Sequence, residues 1–306
     1  MAQPTGRLAV KWSGPAFPGL AGDRPAGVGG LVQLALRKLL RQPGAWAGMA
    51  LVGIAILGSV AAPWLATYSP VEIDLQAQLQ PPSPLHIAGT DFYGRDMASR
   101  LLYGGRTTLA IAAVAVVLAS VAGTALGLVA GFGRDWLGQT WVSLIDLLLA
   151  FPSLLLALLI VGILGPGLHA LAVAVGLAAI PIFARMVRGT VLTIRSAPYV
   201  DAAIASGARD GYILVRHLLP GVIAPVLTLA ALEVGLAILS VAALGFLGLG
   251  AAPPLPEWGS MLYEGRQYLG VAPWVSTGPG LAITLTVLGA TLLGDAISSA
   301  MAPGRS

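Results

Sequence analysis

Three acidic residues sit where carboxylates are rare: Asp146, Glu233 and Asp295 each lie within a long apolar run. A charged side chain at the centre of a bilayer costs about 2.5–3.5 kcal/mol on insertion scales, so such groups face protein or water. Glu233, central in its run, is expected to line a path for cargo and attract an amino terminus or metal cation, or to make a structural hydrogen bond between helices. Asp146 and Asp295 are expected to anchor helices or an inner gate, with a place on the cargo path as the alternative. His86, His169 and His217 are isolated from other metal-ligand types at useful spacing, and no cysteine is present. No metal site is expected, and disulfides and cysteine nucleophiles are excluded. The sequence has no G-x-x-x-x-G-K-[ST], no H-E-x-x-H and no G-x-S-x-G. Lys11 and Lys38, its two lysines, both lie near the N-terminus. It therefore lacks the phosphate cradle of a P-loop, and any ATP hydrolysis must come from another polypeptide.

The elements that would position these groups are membrane helices. Of 306 residues, 57% are apolar and 10% charged, against roughly a quarter charged in an ordinary soluble domain. That much apolar surface calls for lipid as the solvent. Six runs are long and apolar enough to span: 45–66, 107–132, 140–164, 168–185, 222–247 and 275–296. The fourth holds Pro181, so its inner end is expected to be kinked or ragged. Residues 1–43 read as a mobile cytoplasmic tail without a signal-peptide pattern, 44–297 as the transmembrane domain and 298–306 as a short cytoplasmic tail. The formal charge of +4 reflects topology rather than nucleic-acid binding. With both termini in the cytoplasm, thirteen Lys and Arg fall inside and four (Arg95, Arg100, Arg106, Arg266) outside, as the positive-inside rule favours. Three non-membrane pieces remain: 67–106 and 248–274 outside, 186–221 inside. Gly123, Gly127 and Gly131 share one face of the second span, where a helix of this chain or of a second subunit could approach closely.

The cytoplasmic piece is the most informative. Ser196 is placed to cap a helix that Pro198 opens, Asp201 falls in its first turn, and Gly207 turns it sharply. Asp210 would cap a second short helix ending near Pro220. The exposed knob between them would present Tyr199, Val200, Ala202 and Ala203.

Asp201-Ala202-Ala203-x-x-x-Gly207, followed after nine residues by His217-Leu218-Leu219-Pro220, resembles the EAA motif of ABC-importer permeases. Asp201 stands where that family usually has Glu. Four more segments resemble the dipeptide/oligopeptide/nickel permeases of the DppC/OppC type: Gly89–Arg106, Asp146–Ser153, Leu244–Gly250 with Pro253–Leu262, and Pro279 onward with Leu293-Gly294-Asp295. Departures are Val241 in place of an acidic residue, Ser143 in place of Arg, and Thr291 near the usual Asn.

The resemblance implies an all-α membrane protein with the six-helix type I ABC-importer permease fold and a cytoplasmic coupling helix. Tyr199, Asp201, Ala202, Ala203 and Gly207 would couple it to one or two ATPase subunits, which hold the ATP and Mg; this chain itself would carry no cofactor and be no enzyme. A second homologous permease would complete the path, and an extracytoplasmic substrate-binding protein would deliver dipeptides or oligopeptides, with nickel or metal chelates as the alternative cargo. The setting would be a bacterial inner membrane. Arg95, Asp96, Arg100, Glu257 and Trp258 would meet the outer partner, along a stretch lying in the interface. Two other classes compete: an ion-coupled secondary transporter using Asp146, Glu233 and Asp295, and an intramembrane hydrolase, for which no nucleophile–base spacing stands out.

Overall fold

A computed structural model describes residues 38–132 and 135–301. Most of residues 1–43 and the last five of 298–306 lie outside that range, so the tails expected there are not described.

The described chain is helical. We label α1 (Pro43–Val60), α2 (Met97–Phe132), α3 (Asp135–Leu149), α4 (Ser153–Leu164), α5 (Leu168–Arg195), α6 (Pro198–Ala205), α7 (Leu219–Leu244), α8 (Trp258–Gly265) and α9 (Trp274–Met301). Five helical stretches are long and apolar enough to cross a membrane, or six if α3 and α4 count as one span.

Four expectations change. The third run is broken: α3 and α4 meet at 97°, because Pro152 has no N–H for the ladder and opens α4. The fourth span is not ragged at Pro181 but continues through it to Arg195. The last helix runs to Met301, past the expected start of the tail at 298. At the cytoplasmic piece, the second short helix does not end near Pro220. A π turn over Leu214–Leu218 widens the helix just before the proline and carries it into α7. This spares the ladder the bond that Pro220 cannot donate.

The glycine face of α2 packs within the chain. A Cβ on Gly127 would come within 2.6 Å of Val187 Cβ, and one on Gly131 within 2.9 Å of Val191 Cβ. Positions rise together along both helices, so α2 and α5 run parallel with their backbones close. Gly176 repeats the pattern from the other side, against Ala115. Missing side chains permit this approach, and dispersion between the helices rewards it. In the same way Gly289 of α9 accepts Leu51 and Val52 of α1, while Gly294 accepts Leu232 of α7.

Candidate functional site: a clasp, a knob at the opposite end and a buried acid

At the N-terminal end of α2 the preceding segment folds back in a tight turn. Gly94 adopts φ +73 there, and a Cβ would collide with the Asp74 carbonyl. Asp91 Oδ1 accepts the N–H groups of Tyr93 (2.8 Å) and Arg95 (3.0 Å). Asp96 caps α2 by accepting the Ser99 N–H at 2.8 Å, and its other oxygen meets His86 Nδ1 at 3.0 Å.

This turn delivers two guanidinium groups to a buried network. Arg95 Nε lies 2.6 Å from Asp91 Oδ2, and Arg100 Nε lies 3.4 Å from the same oxygen. Glu264 Oε2, from the end of α8, bridges both arginines at 2.7 and 3.1 Å. Arg100 also donates to the carbonyl oxygens of Pro70 and Pro254. Opposite charges at these distances, each with further hydrogen bonds, offset the desolvation of burying them.

A second knot ties α8 to α2. Glu257 caps α8, accepting the N–H groups of Gly259 and Ser260, both at 2.8 Å, and the Ser260 hydroxyl at 3.0 Å. Thr108 donates its hydroxyl to Glu257 at 3.0 Å and accepts the Trp258 N–H at 3.1 Å. The Trp258 indole donates to the Leu101 carbonyl at 2.9 Å. Burial pushes the Glu257 pKa up, while these four hydrogen bonds pull it down, burial having the larger effect. Gly245 and Gly250 allow the contact, since a Cβ on either would press on Glu257 or Ser260.

The five residues expected to touch an outer partner are therefore turned inward. Arg95, Asp96, Arg100, Glu257 and Trp258 are all buried, and the expected interfacial stretch is instead a tight turn followed by the first turns of α2. Asp91, Thr108 and Glu264, which complete the network, were not singled out by sequence reasoning. Glu264 lies 164 and 169 positions from its arginine partners, too far for any local spacing to signal it.

The opposite end of the bundle carries α6. The cap expected from Ser196 is absent: Ala197 is the N-cap, Pro198 opens the helix, and Ser196 donates to the Thr193 carbonyl. Gly207 reverses the chain at φ +80, a conformation strained for any side chain. Arg209 is the N-cap of the following short helix, with Asp210 in its first turn. Val200, expected on the knob's surface, is instead its anchor, buried among Leu128, Val187, Val191, Ile213, Leu218 and Val222. Tyr199, Asp201 and Ala202 are exposed and Ala203 is half-buried. The His217 ring lies 5.7 Å from those of both Tyr199 and Tyr212, fixing α6 against the base of the fifth span.

The three acids of the apolar runs are not joined by any hydrogen bond or ion pair among the described residues. Asp146 is exposed and lies 3.7 Å from Arg185, an attraction worth little in water. Asp295 is exposed. Glu233 is 7% exposed and lines a cavity of about 110 Å³ between α2, α4, α5 and α7.

Comparison with known proteins places this arrangement. Residues 123–306 match the binding-protein-dependent transport system inner membrane component family, and residues 30–82 match the N-terminal TM domain of oligopeptide transport permease C. The dipeptide transport system permease protein DppC of Alkalihalophilus pseudofirmus is 42% identical over 88% of each chain. The glutathione transport system permease protein GsiD of Pectobacterium atrosepticum is 41% identical over 87% of this chain and 89% of that one. Among solved structures, an inward-facing form of the MetNI methionine ABC transporter aligns with a TM-score of 0.54 at 23% identity, covering 67% of this chain and 97% of that one. At that identity the likeness speaks for the fold.

Proposed function

Since the chain belongs to the family of binding-protein-dependent transport system inner membrane components, we propose that it is the channel-forming subunit of an ATP-driven importer of dipeptides or oligopeptides. A binding protein delivers cargo to the outer face. Separate ATPase subunits drive alternation between outward- and inward-open states, and a second, homologous permease encloses the other half of the path. The peptide cargo is supported by the named transport roles of the relatives, which are peptide and glutathione permeases.

The observation that carries the coupling role is the form of α6. It is eight residues long, stands out at one end of the bundle and is anchored by Val200. A push on it is passed to α2 and α5, whose Leu128, Val187 and Val191 share that apolar cluster. Such a rigid lever suits a motor that moves one bundle against another. The thirteen-to-four division of basic residues supports placing this end in the cytoplasm, together with both termini. The absence of a P-loop sequence supports assigning ATP and Mg to other subunits.

The test uses the assembled transporter in proteoliposomes with its binding protein. Gly207→Arg and Ala203→Asp are expected to leave assembly intact and abolish peptide-stimulated ATP hydrolysis. Normal coupling in both variants would sink the lever. Failure of the unaltered complex to accumulate any di- or oligopeptide would sink the cargo assignment.

A further inference from the structure

We propose that Glu233 and the break between α3 and α4 form an intramembrane site for the amino-terminal residue of a peptide. The cavity holds Glu233 as its single charge, with the hydroxyl-bearing Ser153 and Ser240 among otherwise apolar lining residues. No cation lines it, and Glu233 makes no hydrogen bond or ion pair with any described residue. A carboxylate held this way in an apolar wall is left free to pair with a group from outside the chain. A primary ammonium has three donors and no acceptor, and three oxygen-bearing side chains line this cavity. A divalent metal fits poorly, because no group of three or more His, Cys, Asp or Glu gathers anywhere among the described residues.

The break supplies the second half of the recognition. Ser153 is the first residue of α4, whose N-cap Pro152 gives no side-chain hydrogen bond. The opening N–H groups of a helix have no acceptor within it and carry its positive end. They suit a carbonyl oxygen, such as the one that follows a peptide's amino terminus. Ser153 itself lines the cavity. The exposed Leu236 and Leu239 also line the cavity, so it is reached from the exposed side of α7. The ammonium would enter deepest, beside Glu233, and the first peptide carbonyl would remain at the α4 terminus.

The amino-terminal assignment rests on the peptide-importer reading, and the experiment separates the two. Thermal unfolding of the complete transporter in nanodiscs is followed with propylammonium chloride, propan-1-ol or potassium chloride, at matched ionic strength where ions are compared. Propylammonium is expected to raise the melting temperature in a saturable way that the alcohol and potassium do not reproduce. Glu233→Gln should weaken that response by about tenfold or more, and Glu233→Asp should restore part of it. Equal shifts from all three additives, or an undiminished response in Glu233→Gln, would overturn the site. The comparison of additives on the unaltered complex decides the matter even if the variants fail to assemble. Peptide uptake by the same complex is measured alongside. Uptake with no ammonium response refutes this site alone, whereas an ammonium response without uptake of any peptide refutes the cargo reading and with it the amino-terminal assignment.

Discussion

At one end of α2, Arg100 is enclosed by Asp91, Glu264 and two carbonyl oxygens; at the other, Tyr199 and Ile204 stand about half exposed on a short helix with Val200 as its buried residue. The first end is a clasp in which charged side chains are used up on one another. The second end leaves Asp201 and much of Tyr199 exposed, and is attached through Val200 and the Tyr199–His217 ring contact. Mutations should therefore act differently at the two ends. Losses in the clasp should appear as instability, and losses in the knob as uncoupling.

The largest effect should come from the clasp. Arg100→Leu leaves Asp91 and Glu264 sharing a single guanidinium, and loss of one partner of a buried ion pair costs about 3–5 kcal/mol. The expected result is poor accumulation and a lowered melting temperature in detergent. Glu257→Ala removes the cap of α8 and strands the Thr108 hydroxyl, and should be nearly as severe. If either variant were as stable as the parent yet failed to respond to its binding protein, the clasp would be a contact surface and the comparison would fail.

Between the two ends lies the seam of α2 and α5. Gly127→Val puts a branched side chain where even a Cβ meets Val187 at 2.6 Å, and overpacking of this kind costs about 1–3 kcal/mol. A melting temperature lowered less than in Arg100→Leu would place the seam between clasp and knob. Because α2 and α5 both share the cluster that holds Val200, reduced coupling is expected in whatever protein assembles.

Legibility in the sequence followed the same division. The knob could be read because its signals are local: Pro198 opens a helix, Gly207 reverses the chain, and both fall within one short stretch. The glycine face was legible from its spacing of four, although only the structure identifies α5 as the helix it meets. The clasp was not, since Arg95 and Arg100 look like exposed polar groups until Glu264 arrives from a distant helix. The break in the third span was hidden for another reason. The residues around Pro152 are as apolar as those of a continuous span, and hydropathy does not register a missing N–H. The Glu233 carboxylate was visible, but not the cavity before it, which is formed by small residues on four helices.

The smallest effect should come from Asp146 and Arg185. Their 3.7 Å approach joins α3 to α5, and both side chains are more than half exposed. An exposed pair of this kind contributes about 0–1 kcal/mol and is screened by salt. Asp146→Asn should therefore leave the melting temperature within error of the parent at physiological ionic strength. If the pair acts as an inner-gate anchor, the change belongs in the cycle and not in the fold: ATP hydrolysis without peptide should rise modestly, and more at low salt, where the lost attraction is strongest. A large loss of stability instead would mean that Asp146 is enclosed in the assembled transporter as Arg100 is enclosed here, so that α3 and α5 acquire a clasp of their own when the second permease packs against them.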